Sequence, residues 1–125
     1  MTFMKYKPLL KWIPALLIMI GIFLFSSIPA TEMPSFGLLD LLVKKGAHMA
    51  GYGLLTLAYI YGFGNKISKV QWVVLFLAVL YALTDEWHQS YVPGRYGSLW
   101  DVVIDALGSI ISIFLSKKFK LFDKF

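Results

Sequence analysis

Apolar runs separated by short polar connections make up nearly the whole of this chain. Four of them, over 12–28, 46–63, 70–88 and 99–115, approach the length of a bilayer-crossing helix, which takes about 20 mostly apolar residues with a range of roughly 17–25. The connections "SSIPATEMPSFG", "GNKISK" and "VPGRYGS" carry the proline, glycine, asparagine and serine that favour turns. Within the first of them Ser35 can cap a helix, and Phe36, Leu38, Leu39, Leu41 and Leu42 surround Asp40. This predicts a short helix over 35–43 lying in the outer interface, with an early start of the second span as the alternative. The expected fold is all-α: a polytopic membrane protein with a single domain over 1–125, a four-transmembrane-helix bundle with a short outer interfacial helix. No internal repeat or low-complexity tract is visible.

Composition agrees with that pattern. Hydrophobic residues make up 58% of the chain and charged residues 15%, with a mean hydropathy of +0.70, which is too oily for a soluble surface. Cysteine is absent, so disulfides, thiolate nucleophiles, cysteine metal sites and iron–sulfur clusters are excluded. The net charge of +5 does not point to nucleic acid, because the lysines flank apolar segments instead of forming a basic patch on a soluble face.

Those lysines orient the bundle. Lys5, Lys7, Lys11, Lys66, Lys69, Lys117, Lys118, Lys120 and Lys124 all fall on one side of the four spans, against Lys44, Lys45 and Arg95 on the other. The positive-inside rule makes the lysine-rich side cytoplasmic, with both termini on that side. A cleaved leader ending at "SSIPA" is the weaker reading, because the apolar run is long for one and Ile28 and Pro29 are poor neighbours for a cut after Ala30.

Charge is densest in "YALTDEWHQSYVPGRYGSLWDVVIDALGS", residues 81–109, which holds Asp85, Glu86, Arg95, Asp101 and Asp105. With alternating spans, the carboxyl end of the third and the amino ends of the second and fourth meet at the outer face. Lys45, His48 and Tyr52 share one face of the second span, and Asp85 and Glu86 sit a turn before Gln89 on the third. Asp101, Asp105, Gly108, Ser109, Ser112 and Ser116 form a small and polar stripe on the fourth, suited to close helix packing. Trp87, Tyr91, Tyr96 and Trp100 read as an outer aromatic belt.

An Asp, Lys or Arg at the middle of a span costs about 2.5 to 3.5 kcal/mol, and less near its ends. Asp105, roughly 6 Å deeper than Asp101, therefore calls for a partner, with Arg95, Lys45 and protonated His48 as candidates. A purely structural, ion-paired cap is one reading of the cluster. A functional site is the favoured one, since ionisable groups inside a membrane usually mark function.

The motifs "KGAHMAGYGLL" at 45–55, "DEWHQSYVPGRYGSLWD" at 85–101, "DALG" at 105–108 and "FSSIP" at 25–29 resemble the VanZ-like family over nearly the whole chain. The shared features are Lys-x-x-His-x-x-x-Tyr on the second span, then Asp-Glu-x-x-Gln, an Arg, an Asp and a helix rich in small residues. Asp105 departs from the pattern, as relatives often have asparagine there, which suits a hydrogen-bonding position. The resemblance implies a small, multi-pass bacterial membrane protein. The family's namesake is associated with low-level resistance to teicoplanin, a lipid-tailed glycopeptide acting at the outer membrane face. The resemblance brings no established reaction.

Two active readings of the cluster follow. In an enzyme, His48 and Glu86 would supply acid and base, Lys45 and Arg95 would hold an anion, and Asp101 would orient His48 or Arg95. In a binding protein, Lys45, Tyr52, Asp85, Gln89, Arg95 and Asp105 would hold a headgroup beneath the "SYVPGRYGS" loop. The expected partners are membrane lipids and an amphiphile: an anionic lipid headgroup, a cell-wall lipid precursor or a lipoglycopeptide. An oligomer is compatible with these readings. No metal or other cofactor is expected, because the helices offer no HExxH-like ligand pair and a site from His48, Glu86 and Asp101 is unforced. Transport is disfavoured, as there are no repeated, broken spans.

Overall fold

The computed structural model describes residues 7–29, 35, 37–64, 66–95 and 97–122, and every regular element among them is helical. A single turn over Lys7–Leu10 leads into α1 (Ile13–Ser26), where Pro14 in the first turn supplies a φ already suited to a helix. Next come α2 (Asp40–Phe63), α3 (Ile67–Gln89) and α4 (Leu99–Lys118). Gly64 ends α2 in the left-handed conformation at φ 68°, and a short link turns the chain straight back into α3. Ser98 starts α4 by accepting a hydrogen bond from the Trp100 N–H at 3.2 Å; Asp101 lies in its first turn and Lys117 and Lys118 in its last, matching the helix dipole.

The segment expected to form a separate interfacial helix does not do so. A 3-10 turn over Gly37–Leu39 runs directly into α2, which continues unbroken from Asp40 through Phe63. Ser35 lies outside that helix, whose N-cap position is Leu39. The unbroken helix is the alternative of an early start to the second span, and Lys44 pairs with Asp40 one turn back, at 2.8 Å, so the two charges satisfy one another on the helix. The other expected boundaries shift by only a few residues.

Three segments, Pro8–Ser26, Ile67–Gln89 and Leu99–Lys118, are long and apolar enough to cross a membrane. Helix α2 is longer than any of them but carries Gly, Tyr and His where it packs on its neighbours. It sits between α1 and α4, contacts α3 as well, and makes its most extensive contact with α4.

The core lies along α2 and α3, with Tyr52, Leu55, Ile60, Val74, Ala78 and Ala82 buried. The outward faces are apolar too: Leu16, Leu17, Leu24, Trp72, Phe76, Leu80, Ile110, Ile111 and Phe114 are all exposed. A surface of this kind suits hydrocarbon rather than water, and the chain is accordingly a membrane protein. On α4 the inward face is the small and polar stripe, with Asp105, Gly108, Ser109, Ser112 and Ser116 all buried. Ser112 donates to the Gly53 carbonyl at 2.8 Å, and Thr56 and Ser109 are hydrogen-bonded at 2.7 Å, so hydroxyls join α2 to α4 where apolar side chains gain little over lipid.

Candidate functional site

At one end of the bundle the N-terminal parts of α2 and α4 meet the C-terminal ends of α1 and α3, and the polar residues singled out above gather there. They divide into three layers.

The outermost layer is ionic. Lys45 of α2 forms an ion pair with Asp101 of α4, both half-buried. The expected role of Asp101 as a partner of His48 or Arg95 gives way to this pair, because one helical turn on α4 separates Asp101 from the level at which His48 lies. Trp87, Tyr91 and Trp100 are exposed around this end, as a belt requires. Tyr96 lies outside the described residues.

Beneath it lies a nearly dry carboxylate layer. His48 of α2 places Nδ1 3.4 Å from Oδ1 of Asp105 on α4, whose side chain is 0% exposed. Of the three candidate partners for Asp105, His48 is therefore the one that meets it. Tyr52, one turn along α2, donates its hydroxyl to Oδ2 of Asp85 on α3 at 3.2 Å, and its ring stacks near that of His48 with centroids 6.4 Å apart. Asp85 is 4% exposed and Glu86 6%. Glu86 accepts the Ser98 N–H through Oε2 at 2.9 Å, tying the end of α3 to the start of α4. No hydrogen bond or ion pair joins Glu86 to His48 or Asp101 among the described residues, although all three lie at this end of the bundle. The five buried atoms His48 Nδ1, Asp85 Oδ1, Glu86 Oε1 and both carboxylate oxygens of Asp105 have no hydrogen-bond partner among the described residues. Such atoms in a helix core call for a physical reason.

The third layer is contributed by the end of α1, which sequence reasoning did not place in the site. Gln89 donates to Ser26 Oγ at 3.1 Å, and Ser27 Oγ lies 2.8 Å from His88 Nε2. The His88 ring stacks on Phe23 with centroids 4.4 Å apart. Arg95 reaches back from the loop to donate to the carbonyls of Ile28 at 3.0 Å and Phe25 at 3.2 Å, and its guanidinium lies over the Phe25 ring. Burial lowers the Arg95 pKa from its usual value, and the nearby Asp85 and Glu86 charges oppose that shift. The signal for this layer was the pair of serines, Ser26 and Ser27, that closes an otherwise wholly apolar α1.

A cavity of about 310 Å³ opens beside the carboxylate layer, between α1 and α2. Its walls are Ile18, Gly21, Ile22, Phe25, Ala47 and Gly51, and its polar lining is His48 and Tyr52. An apolar trough ending on an imidazole and a phenol, with carboxylates behind them, can take a molecule that is oily along most of its length and polar at one end.

A family model described as VanZ/LLP1 matches residues 10–122. Neither the curated proteins nor the solved structures gave a match.

Proposed function

Because the chain belongs to the VanZ/LLP1 family, we propose that it is a bacterial cell-envelope membrane protein that binds the polar end of an amphiphile at its outer face, with both termini in the cytoplasm. The orientation rests on lysine placement: Lys11, Lys66, Lys69, Lys117 and Lys118 lie at the end of the helices opposite the carboxylate layer. On this reading α2 crosses the bilayer with the other three helices. The partner is an anionic lipid headgroup, a cell-wall lipid precursor or a lipoglycopeptide, and a contribution to resistance against lipid-tailed glycopeptides follows from the last of these.

One observation carries the proposal. The cavity is apolar along α1 and α2 and becomes polar only at His48 and Tyr52. An acyl or prenyl tail fits the apolar part, while the headgroup lies against His48 and Tyr52. A catalytic version has one specific support: His48 stands against a buried carboxylate, an arrangement that orients an imidazole for proton transfer.

A photoreactive polyprenyl phosphate tests the proposal. Crosslinks are expected on α1 and α2 near Gly21, Ala47 and Gly51. They should be lost in Gly21→Leu, whose side chain would enter the cavity from a position where an added Cβ meets no atom within 4 Å. Crosslinks spread evenly over Phe76, Ile110 and the other outward residues would overturn it. The recovered ligand's mass separates holding from chemistry: unchanged mass means binding, and a new mass that Glu86→Gln abolishes means catalysis.

A further inference from the structure

The carboxylate layer contains a grouping that no helix spacing reveals. His48, Asp85 and Asp105 come from α2, α3 and α4, and one ligand atom of each lies within 4.8 Å of the others. Donors about 2.1 Å from a shared tetrahedral ion stand roughly 3.4 Å apart, a separation that His48 Nδ1 and Asp105 Oδ1 already have at 3.4 Å, so it is chiefly the Asp85 side chain that must close on them. We infer that His48, Asp85 and Asp105 form a binding site for a single divalent transition-metal ion.

Unpaired atoms and burial support this independently of the spacing. Among the described residues, His48 Nδ1, Asp85 Oδ1 and both oxygens of Asp105 are buried without a hydrogen-bond partner, the two carboxylates being on residues 4% and 0% exposed. An ionised carboxylate offers only acceptors, and a neutral imidazole nitrogen without its proton is another. Acceptors gathered this closely in a dry layer call for positive charge, which a proton on His48 can supply to Asp105 and a metal ion can supply to all three side chains. The lysines at this end of α2 are already paired, Lys45 with Asp101 and Lys44 with Asp40. Two buried carboxylates facing an imidazole are unfavourable unless positive charge is supplied between them.

The surroundings also resemble those of a metal site. Tyr52 holds Oδ2 of Asp85 through its hydroxyl, which leaves Oδ1 to the shared space, as second-layer hydrogen bonds do for metal-ligating carboxylates. One imidazole nitrogen with two carboxylate oxygens suits zinc or manganese better than the all-oxygen magnesium and calcium. Three protein donors leave a further coordination position, and His48 and Tyr52 line the apolar cavity, so an anionic headgroup lodged there has a short path to the ion. The inference does not rest on the amphiphile reading, which can fail while the ion stays bound.

The test is a metal titration without amphiphile. Protein purified in detergent is stripped with a chelator and titrated with Zn²⁺, then in separate arms with Mn²⁺ and Mg²⁺, following bound metal and Tm. One equivalent of Zn²⁺ or Mn²⁺ should bind and raise Tm, with Mg²⁺ failing to do either. Asp85→Asn and Asp105→Asn, which keep side-chain size, should each weaken that affinity by at least about tenfold, while Asp40→Asn, two turns from His48 on α2, leaves it unchanged. Stripped wild-type protein that keeps its helix content and shows neither stoichiometric binding nor a Tm shift overturns the inference, whatever the variants do. Equal binding by wild type and the Asp85→Asn or Asp105→Asn variant overturns it as well.

Discussion

Gly108 of α4 rests against the main-chain carbonyl of Met49 on α2 so closely that a Cβ there would overlap it. The neighbour is backbone and cannot rotate away, so Gly108→Ala must push α4 from α2. A cost of about 1–3 kcal/mol is expected, as for overpacking elsewhere. Gly21→Ala meets nothing within 4 Å and serves as the control, which should remain within about 0.5 kcal/mol of wild type. Reversible unfolding in mixed micelles measures both; equal stability of the two variants would contradict the packing described.

Thr56→Val removes one hydroxyl and keeps the shape. The lost group is hydrogen-bonded to Ser109 across α2 and α4 and lies 2.8 Å from the Tyr52 carbonyl on its own helix. Interhelical bonds of this kind contribute about 0.6 kcal/mol on average, with about 1.7 as the upper end. A loss in that range is expected from the same unfolding assay, and Ser109→Ala in the Thr56→Val background should add less than it does alone.

Arg95 clasps the end of α1 with two donors and a flat face over Phe25. Arg95→Ala should release the loop over 90–98 while leaving the helices folded, seen as faster hydrogen exchange confined to that loop and the last turn of α1. Arg95→Lys should not restore protection, because an ammonium lacks the planar fork that reaches two carbonyls at once.

The Lys45 and Asp101 pair is half-exposed, and pairs of that kind contribute about 0.2–1 kcal/mol. A double-mutant cycle with Lys45→Ala and Asp101→Ala should return a coupling in that range that falls with added salt. A larger coupling would mean that this layer is drier than its exposure implies.

Periodicity carried most of the architecture. The stripe from Asp105 through Ser116 could be read as an inward face because each small residue recurs at three or four positions, and the structure buries all of them. The start of α2 was harder to read, since a separate helix over 35–43 and an early start of the span fit Asp40 and its apolar neighbours equally well until Lys44 is seen paired along the helix and Lys45 across to α4. The partner of Asp105 was likewise one of three candidates. The choice depends on how high α4 sits beside α2, which Gly53 and Gly108 set through contacts between distant parts of the chain. The end of α1 was missed for the same reason: Ser26 and Ser27 mean little until Gln89 and His88 arrive from α3.

The stripe on α4 also dictates where the gene can change length. One residue inserted or deleted between Asp105 and Ser109 would rotate everything beyond it by about 100°. Ser109, Ser112 and Ser116 would then leave α2, and bulky aliphatics such as Ile110 or Ile113 would be driven toward its backbone. Indels should therefore be purged from this stretch and survive in the turns at its two ends, a pattern of tolerated frameshift-free length variants that deep mutational scanning can read directly.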